Sequence, residues 1–192
     1  FKEALSDLEF KSNIEDLIDF GITRYKNQYE NTLVENTPFS LYEKYNYEQV
    51  CQLLEWPKNA VAQNVGGYQF NDETNTCPVF INYHKDEMIQ DSIKYEDEFL
   101  SPILLKATSK ARRYLDSPDV DAILRSNELG IAMHLFVRKK KDDKETQKFY
   151  YLGPIYSTGF ENAKEITMAG GTKAVELEYE LEVPVRDDIY DY

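Results

Sequence analysis

Cysteine is scarce: Cys51 and Cys77 are the only two in 192 residues, and they have neither the number for a disulfide scaffold nor the spacing of a metal site. A reducing compartment is the expectation that follows. Long apolar runs are missing as well. No stretch approaches the ~20 residues a bilayer span needs, and no basic-then-apolar leader opens the chain. The first residue is Phe1, so the expectation is a piece of a longer protein. Only 8 Gly and 7 Pro stand against 15 Tyr, 10 Phe and 1 Trp, a composition that argues against disorder and for a packed core.

Catalytic signatures are also lacking. Gly170-Gly171-Thr172-Lys173 has the residue types of a phosphate loop without its spacing, and reads as a tight turn. His84 and His134 lie 50 positions apart, outside any H-x-x-x-H pair. Pro118-Asp119 followed by Asp142-x-Lys144 superficially matches a metal-dependent nuclease pattern. Asp119, however, is accounted for as a first-turn helix acid, and Asp142 falls in a loop. No catalytic residue, metal or cofactor is therefore assigned, and the domain is expected to be non-catalytic.

What is present is charge, unevenly placed. The chain carries 35 acidic and 22 basic side chains, a net of −13, which opposes nucleic-acid binding at first sight. Yet residues 106–148 hold 11 of the 22 basic residues and a net of +4. Such an island is either a solvated face or a local cationic patch facing an anion.

Periodicity supplies the elements. Phe10, Ile14, Leu17, Ile18, Ile22 and Tyr25 recur at three- and four-residue steps and predict a long helix over 2–30. A short helix follows, with Asn46 and Gln49 as a capping box and Val50, Leu53 and Leu54 as its buried side. Tyr68-Gln69-Phe70 and Val79–Tyr83, joined by a polar turn, read as a hairpin. Ser117-Pro118-Asp119 opens another helix that ends before Gly130, and strands are expected over Ile131–Arg138 and Phe149–Tyr156. Val175, Leu177, Tyr179, Leu181 and Val183 alternate with glutamates, a strand with one buried face. The fold class expected is α+β, a curved, mostly antiparallel sheet with helices at the front and middle of the chain.

Five strings, in order, carry a resemblance. They are Ala62–Tyr68 (AQNVGGY), Pro78–Lys85 (PVFINYHK), Leu135–Lys139 (LFVRK), Tyr150–Gly153 (YYLG) and Pro184–Asp188 (PVRDD). Together they resemble the C-terminal domain of bacterial proteins that fuse a phospholipase-D-like nuclease to a DEAD/DEAH-type helicase, the SauUSI-type, type IV restriction enzymes. The resemblance implies an SRA-like (SET- and RING-associated, PUA-like) domain over 41–192, a curved sheet or barrel with flanking helices, with 1–40 as an N-terminal helical connector from an upstream helicase region. It implies recognition of 5-methylcytosine or 5-hydroxymethylcytosine in duplex DNA, with base flipping. Cleavage and ATP hydrolysis would be done by other domains of the same polypeptide, in a bacterial cytoplasm, with no membrane involved.

Candidate DNA contacts are then Gln63, Asn64, Gly66, Gly67, His84, Lys85, Ser109, Lys110, Arg112, Arg113, Arg138 and Lys139. Candidate walls of a modified-base pocket are Tyr68, Tyr83 and Tyr95, with Asn82 or Asp97 at the base edge. The alternative is a protein-interaction or regulatory module that docks on helicase or nuclease domains through its acidic surfaces and the apolar helix stripe.

Overall fold

The computed structural model describes residues 4–29, 34–57, 67–83, 97–138, 148–168 and 170–190. It divides into two compact units, Phe1–Ser40 and Leu41–Tyr192. The first holds α1 (Leu8–Tyr29), opened by the Asp7 carboxylate, which accepts from the main-chain amides of Glu9 and Phe10 at 2.9 and 3.1 Å. No helix among the described residues is long and apolar enough to cross a membrane.

The second unit is α+β. Eight strands form one sheet: β1 (Lys44–Tyr45), β2 (Thr76–Asn82), β3 (Glu98–Ser101), β4 (Leu104–Thr108), β5 (Ala132–Arg138), β6 (Phe149–Ser157), β7 (Lys164–Thr167) and β8 (Lys173–Leu181). The main path runs β2-β5-β6-β8-β4-β3, with β1 on β6 and β7 on β8. Every pair is antiparallel except β2 with β5, which runs Thr76↔Ala132 to Asn82↔Arg138. A parallel pair needs a long crossover, and the roughly fifty residues between those strands supply it.

Burial explains the strand sequences. β2 and β5 send Cys77, Val79, Ile81, Met133, Leu135 and Val137 into the main core. Phe80 and Phe136 stack on the opposite face at 5.0 Å, and Phe80 meets Phe149 at 5.1 Å. Helix α2 (Tyr47–Leu53) covers that second face through Tyr47, 4.5 Å from Phe80 and 5.1 Å from Phe149. Strands buried on both sides read as continuous apolar runs, as here, and not as alternation. β8 has the alternation because Val175, Leu177, Tyr179 and Leu181 point inward while the glutamates between them stay half-buried or exposed; Ala174, at its start, is buried as well. It ends at Leu181, two residues short of the predicted end, before Pro184.

The Asn46–Gln49 capping box forms in both directions, at 2.8 and 3.0 Å. Its helix buries Val50, Cys51 and Leu54, while Leu53, expected inside, is exposed. The helix expected after Ser117 is two: α3 (Pro118–Leu124) and α4 (Ser126–Leu129), broken at Arg125 and stopped by left-handed Gly130. A last turn of helix, α5, spans Asp187–Tyr190. The predicted hairpin survives only as two bridges, Tyr68↔Val79 and Asn71↔Thr76, around an Asn71 turn whose side chain accepts from the Glu73 and Thr74 amides.

β2 and β3 stand at opposite ends of the sheet order, yet Tyr83, just past β2, packs edge-on against Phe99 of β3 at 5.0 Å. The sheet therefore curls, bringing its ends together without hydrogen-bonded closure among the described residues.

Candidate nucleic-acid interface

An open cleft of about 420 Å³ lies where three segments of the second unit meet. It is lined by Tyr68, Gln69, Phe70, Lys110, Arg113, Ser117, Pro118 and Asp119. That volume is in the range of small-molecule sites.

The first segment is fixed to β2. Gly67 takes a left-handed φ of +84°, which glycine adopts without a Cβ penalty, and its carbonyl accepts from the Phe80 amide at 2.6 Å. Tyr68 follows, bridged to Val79, and is 4% exposed as a residue. The second segment leaves β4 and runs beside the start of β8. The Ser109 amide donates to the Val175 carbonyl, its hydroxyl accepts from the Val175 amide, and the Arg112 amide donates to Lys173. Arg112 has a φ of +61°, and that turn places Lys110 and Arg113 along the cleft. The third segment is the first turn of α3. Ser117 closes the loop before it by accepting from the Tyr114 amide at 2.8 Å.

The side chains converge on Asp119. Its Oδ2 accepts from the Tyr68 phenol at 2.9 Å and from Arg113 Nε at 2.6 Å, and its Oδ1 carries neither bond. Burial alone would raise the Asp119 pKa. Hydrogen bonds from Arg113 and Tyr68, with the Arg113 charge, outweigh it and hold the carboxyl below its ordinary value. Burial, reinforced by the Asp119 charge and hydrogen bond, pushes the Tyr68 phenol well above its ordinary value. Tyr68 is thus a neutral donor beside a carboxylate that is ionised at neutral pH. Above the ring, Lys110 Nζ stands 4.9 Å from its centroid. Chemically the cleft offers an aromatic floor, a fixed acceptor, a paired guanidinium and an ammonium.

Residues 39–192 match the family model described as a domain of unknown function, DUF3427. The chain belongs to the DUF3427 family. No curated protein matches it. Among solved structures, the DUF3427 chain is similar to a SUVH5 SRA–hemi-methylated CG DNA complex, at 13% identity and a TM-score of 0.49, covering 80% of this chain and 97% of that one. It is also similar to a SUVH5 SRA–fully methylated CG DNA complex, at 11% identity and a TM-score of 0.48, over 81% and 96%. A third, Arabidopsis thaliana SUVH6 with SAM, matches at 12% identity and a TM-score of 0.48, over 89% of this chain and 32% of that one.

Of the residues singled out from sequence, Tyr68, Lys110 and Arg113 line the cleft, Gly67 leads into it, and Arg112 is exposed beside it. Gln63, Asn64, Gly66, His84, Lys85, Tyr95 and Lys139 lie outside the described residues. Two others are buried away from the cleft lining. Tyr83 is 3% exposed, packed on Phe99, and donates its hydroxyl to the Tyr190 carbonyl. Ser109 is buried, and its hydroxyl accepts from the Val175 amide and donates to the Lys110 carbonyl. Asn82 is elsewhere, accepting two bonds from Arg138, whose guanidinium lies over Phe149. Asp97 accepts from the Thr108 amide at 2.9 Å and does not line the cleft.

Sequence reading missed the part Asp119 plays. Its first-turn position was visible, but its partner Tyr68 is 51 residues away. His134 is a satisfied core histidine, 3.1 Å from the Tyr151 hydroxyl, and burial lowers its pKa to about 4.

Proposed function

We propose that residues 41–192 are a non-catalytic DNA-binding domain that reads 5-methylcytosine or 5-hydroxymethylcytosine in duplex DNA, taking the modified base out of the stack into the cleft. The observation that carries this reading is the convergence of Tyr68, Lys110, Arg113 and Asp119 on one open cleft. Three of these four come from the family-like string and the basic island that motivated the idea. An extruded base loses its stacking neighbours and needs an aromatic surface in their place, which Tyr68 supplies. Its exocyclic amine needs an acceptor, and Asp119 Oδ1 is the candidate. Exposed Arg112 is suited to the phosphates.

The wider setting follows from the sequence resemblance. Residues 1–40 would connect to helicase and nuclease domains of an ATP-dependent type IV restriction enzyme acting in the bacterial cytoplasm. The whole chain carries a net charge of −13, so on its own it is expected to bind DNA weakly and with strong salt dependence.

The test is Tyr68→Leu, checked first for folding, on two duplexes that differ by one cytosine methyl. Loss of the ring should remove ~1–3 kcal/mol from binding to the modified duplex and little from the unmodified one. Equal losses on both would take the base site away from Tyr68.

A further inference from the structure

In the free protein the aromatic floor of the cleft is already occupied. Tyr68 lines the cleft but is only 4% exposed, and the Lys110 ammonium stands 4.9 Å from its centroid. Stacked rings approach to about 3.5–4 Å between atoms. A base and the ammonium therefore cannot share that face. The two cleft cations also differ in how firmly they are held. Arg113 is tied to Asp119 at 2.6 Å, whereas Lys110 has no carboxylate within ion-pair distance among the described residues. Arg113 is a positioning residue; Lys110 is free to leave on its four-carbon stem.

We propose that Lys110 is a displaceable cover on Tyr68. It shields the ring in the free protein and swings to a DNA phosphate on binding, so that backbone engagement and opening of the base site are one event. This rests on the reading of the cleft as a base site. A cation over an aromatic ring is held more weakly than an ammonium against a phosphate. The exchange is therefore favourable when DNA is present. A base arriving without a phosphate must displace the ammonium uncompensated, and the closed population taxes its affinity.

The probes are 5-methyl-2′-deoxycytidine, which has no phosphate, and a methylated duplex, each titrated into the wild-type chain and Lys110→Ala. Removing the cover should tighten nucleoside binding about two- to five-fold, the equivalent of an exposed cation–π contact. The same substitution should weaken duplex binding and reduce its salt slope by about 1. Unchanged or weaker nucleoside binding in Lys110→Ala would make Lys110 a phosphate contact only and overturn the proposal. A second measurement is independent of DNA. The Lys110 ε-methylene protons should be ring-current shifted upfield in the free chain and return to ordinary positions in Tyr68→Leu; ordinary positions in the wild type would also overturn it. If neither probe binds the wild type or the variant, the base-site reading fails and the swing fails with it. An upfield shift would in that case show that the cover itself exists, which separates the two failures.

Discussion

Asp119→Ala removes the acceptor that ties the three cleft segments together. Two donors lose their partner. The Tyr68 phenol's bond to Asp119 is part-buried, and leaving such a donor unsatisfied costs about 1–3 kcal/mol. The cleft is open, so water reaches part of the vacated site and the lower half of that range applies. The Arg113–Asp119 pair has side chains 34% and 23% exposed, so solvent screens it and it adds at most ~1 kcal/mol. Together the substitution should destabilise the fold by about 2 kcal/mol, or roughly 4–8 °C in melting temperature for a unit of this size. Asp119→Asn keeps one oxygen for the phenol and should lose about half as much. The pH dependence has a definite sign. The folded carboxyl titrates below its ordinary 3.8, so its contribution is complete above that value and disappears as pH falls through the lower folded pKa. Thermal melts of wild type and variant should differ by a constant amount from pH 7 to about 4 and converge below. A melting temperature within about 1 °C of wild type at pH 7 would refute the network as drawn.

Three further outcomes are expected. His134, neutral in the fold with a pKa lowered to about 4 against an ordinary 6.5, binds a proton more readily when unfolded. Stability should therefore fall as pH drops from 6.5 towards 4, by up to about 3 kcal/mol, and His134→Gln should flatten that slope in urea titrations; an equal slope in both would remove His134 as the cause. Gly153→Ala forces a side chain onto a φ of +103° between Leu41 and Val183, and should cost ~1–3 kcal/mol in melts, whereas no loss would mean the strand relaxes there. Arg112→Ala should weaken binding to modified and unmodified duplexes alike and lower the salt slope by about 1, while Arg113→Ala should act mainly on stability through Asp119. The reverse ranking would make Arg113 the phosphate contact.

Local features were legible in the sequence because their causes are local. The Asn46–Gln49 capping box, the proline start of α3, the left-handed Gly130 and the inward alternation of β8 each depend on residues a few positions apart. What escaped depends on distant partners. The parallel pairing of β2 with β5 joins residues more than fifty positions apart, and β3, β4 and β7 are four or five residues long, too short for a period to register. Tyr83 read as a pocket rim because it ends a strand. The curl of the sheet brings Phe99 onto it and makes it core. Asp119 read as an ordinary first-turn acid, since nothing near it in sequence points to Tyr68. The cleft was legible as a set of residue types and illegible as a set of neighbours.

The most direct test of the central claim is the affinity of the wild-type chain for two duplexes identical but for one 5-methyl group, measured at low and moderate salt. The account predicts a preference for the methylated duplex that persists as salt rises, because the screened phosphate term is common to both duplexes and cancels in their ratio. Equal affinities at both salt concentrations would contradict it and favour a module that binds protein partners instead.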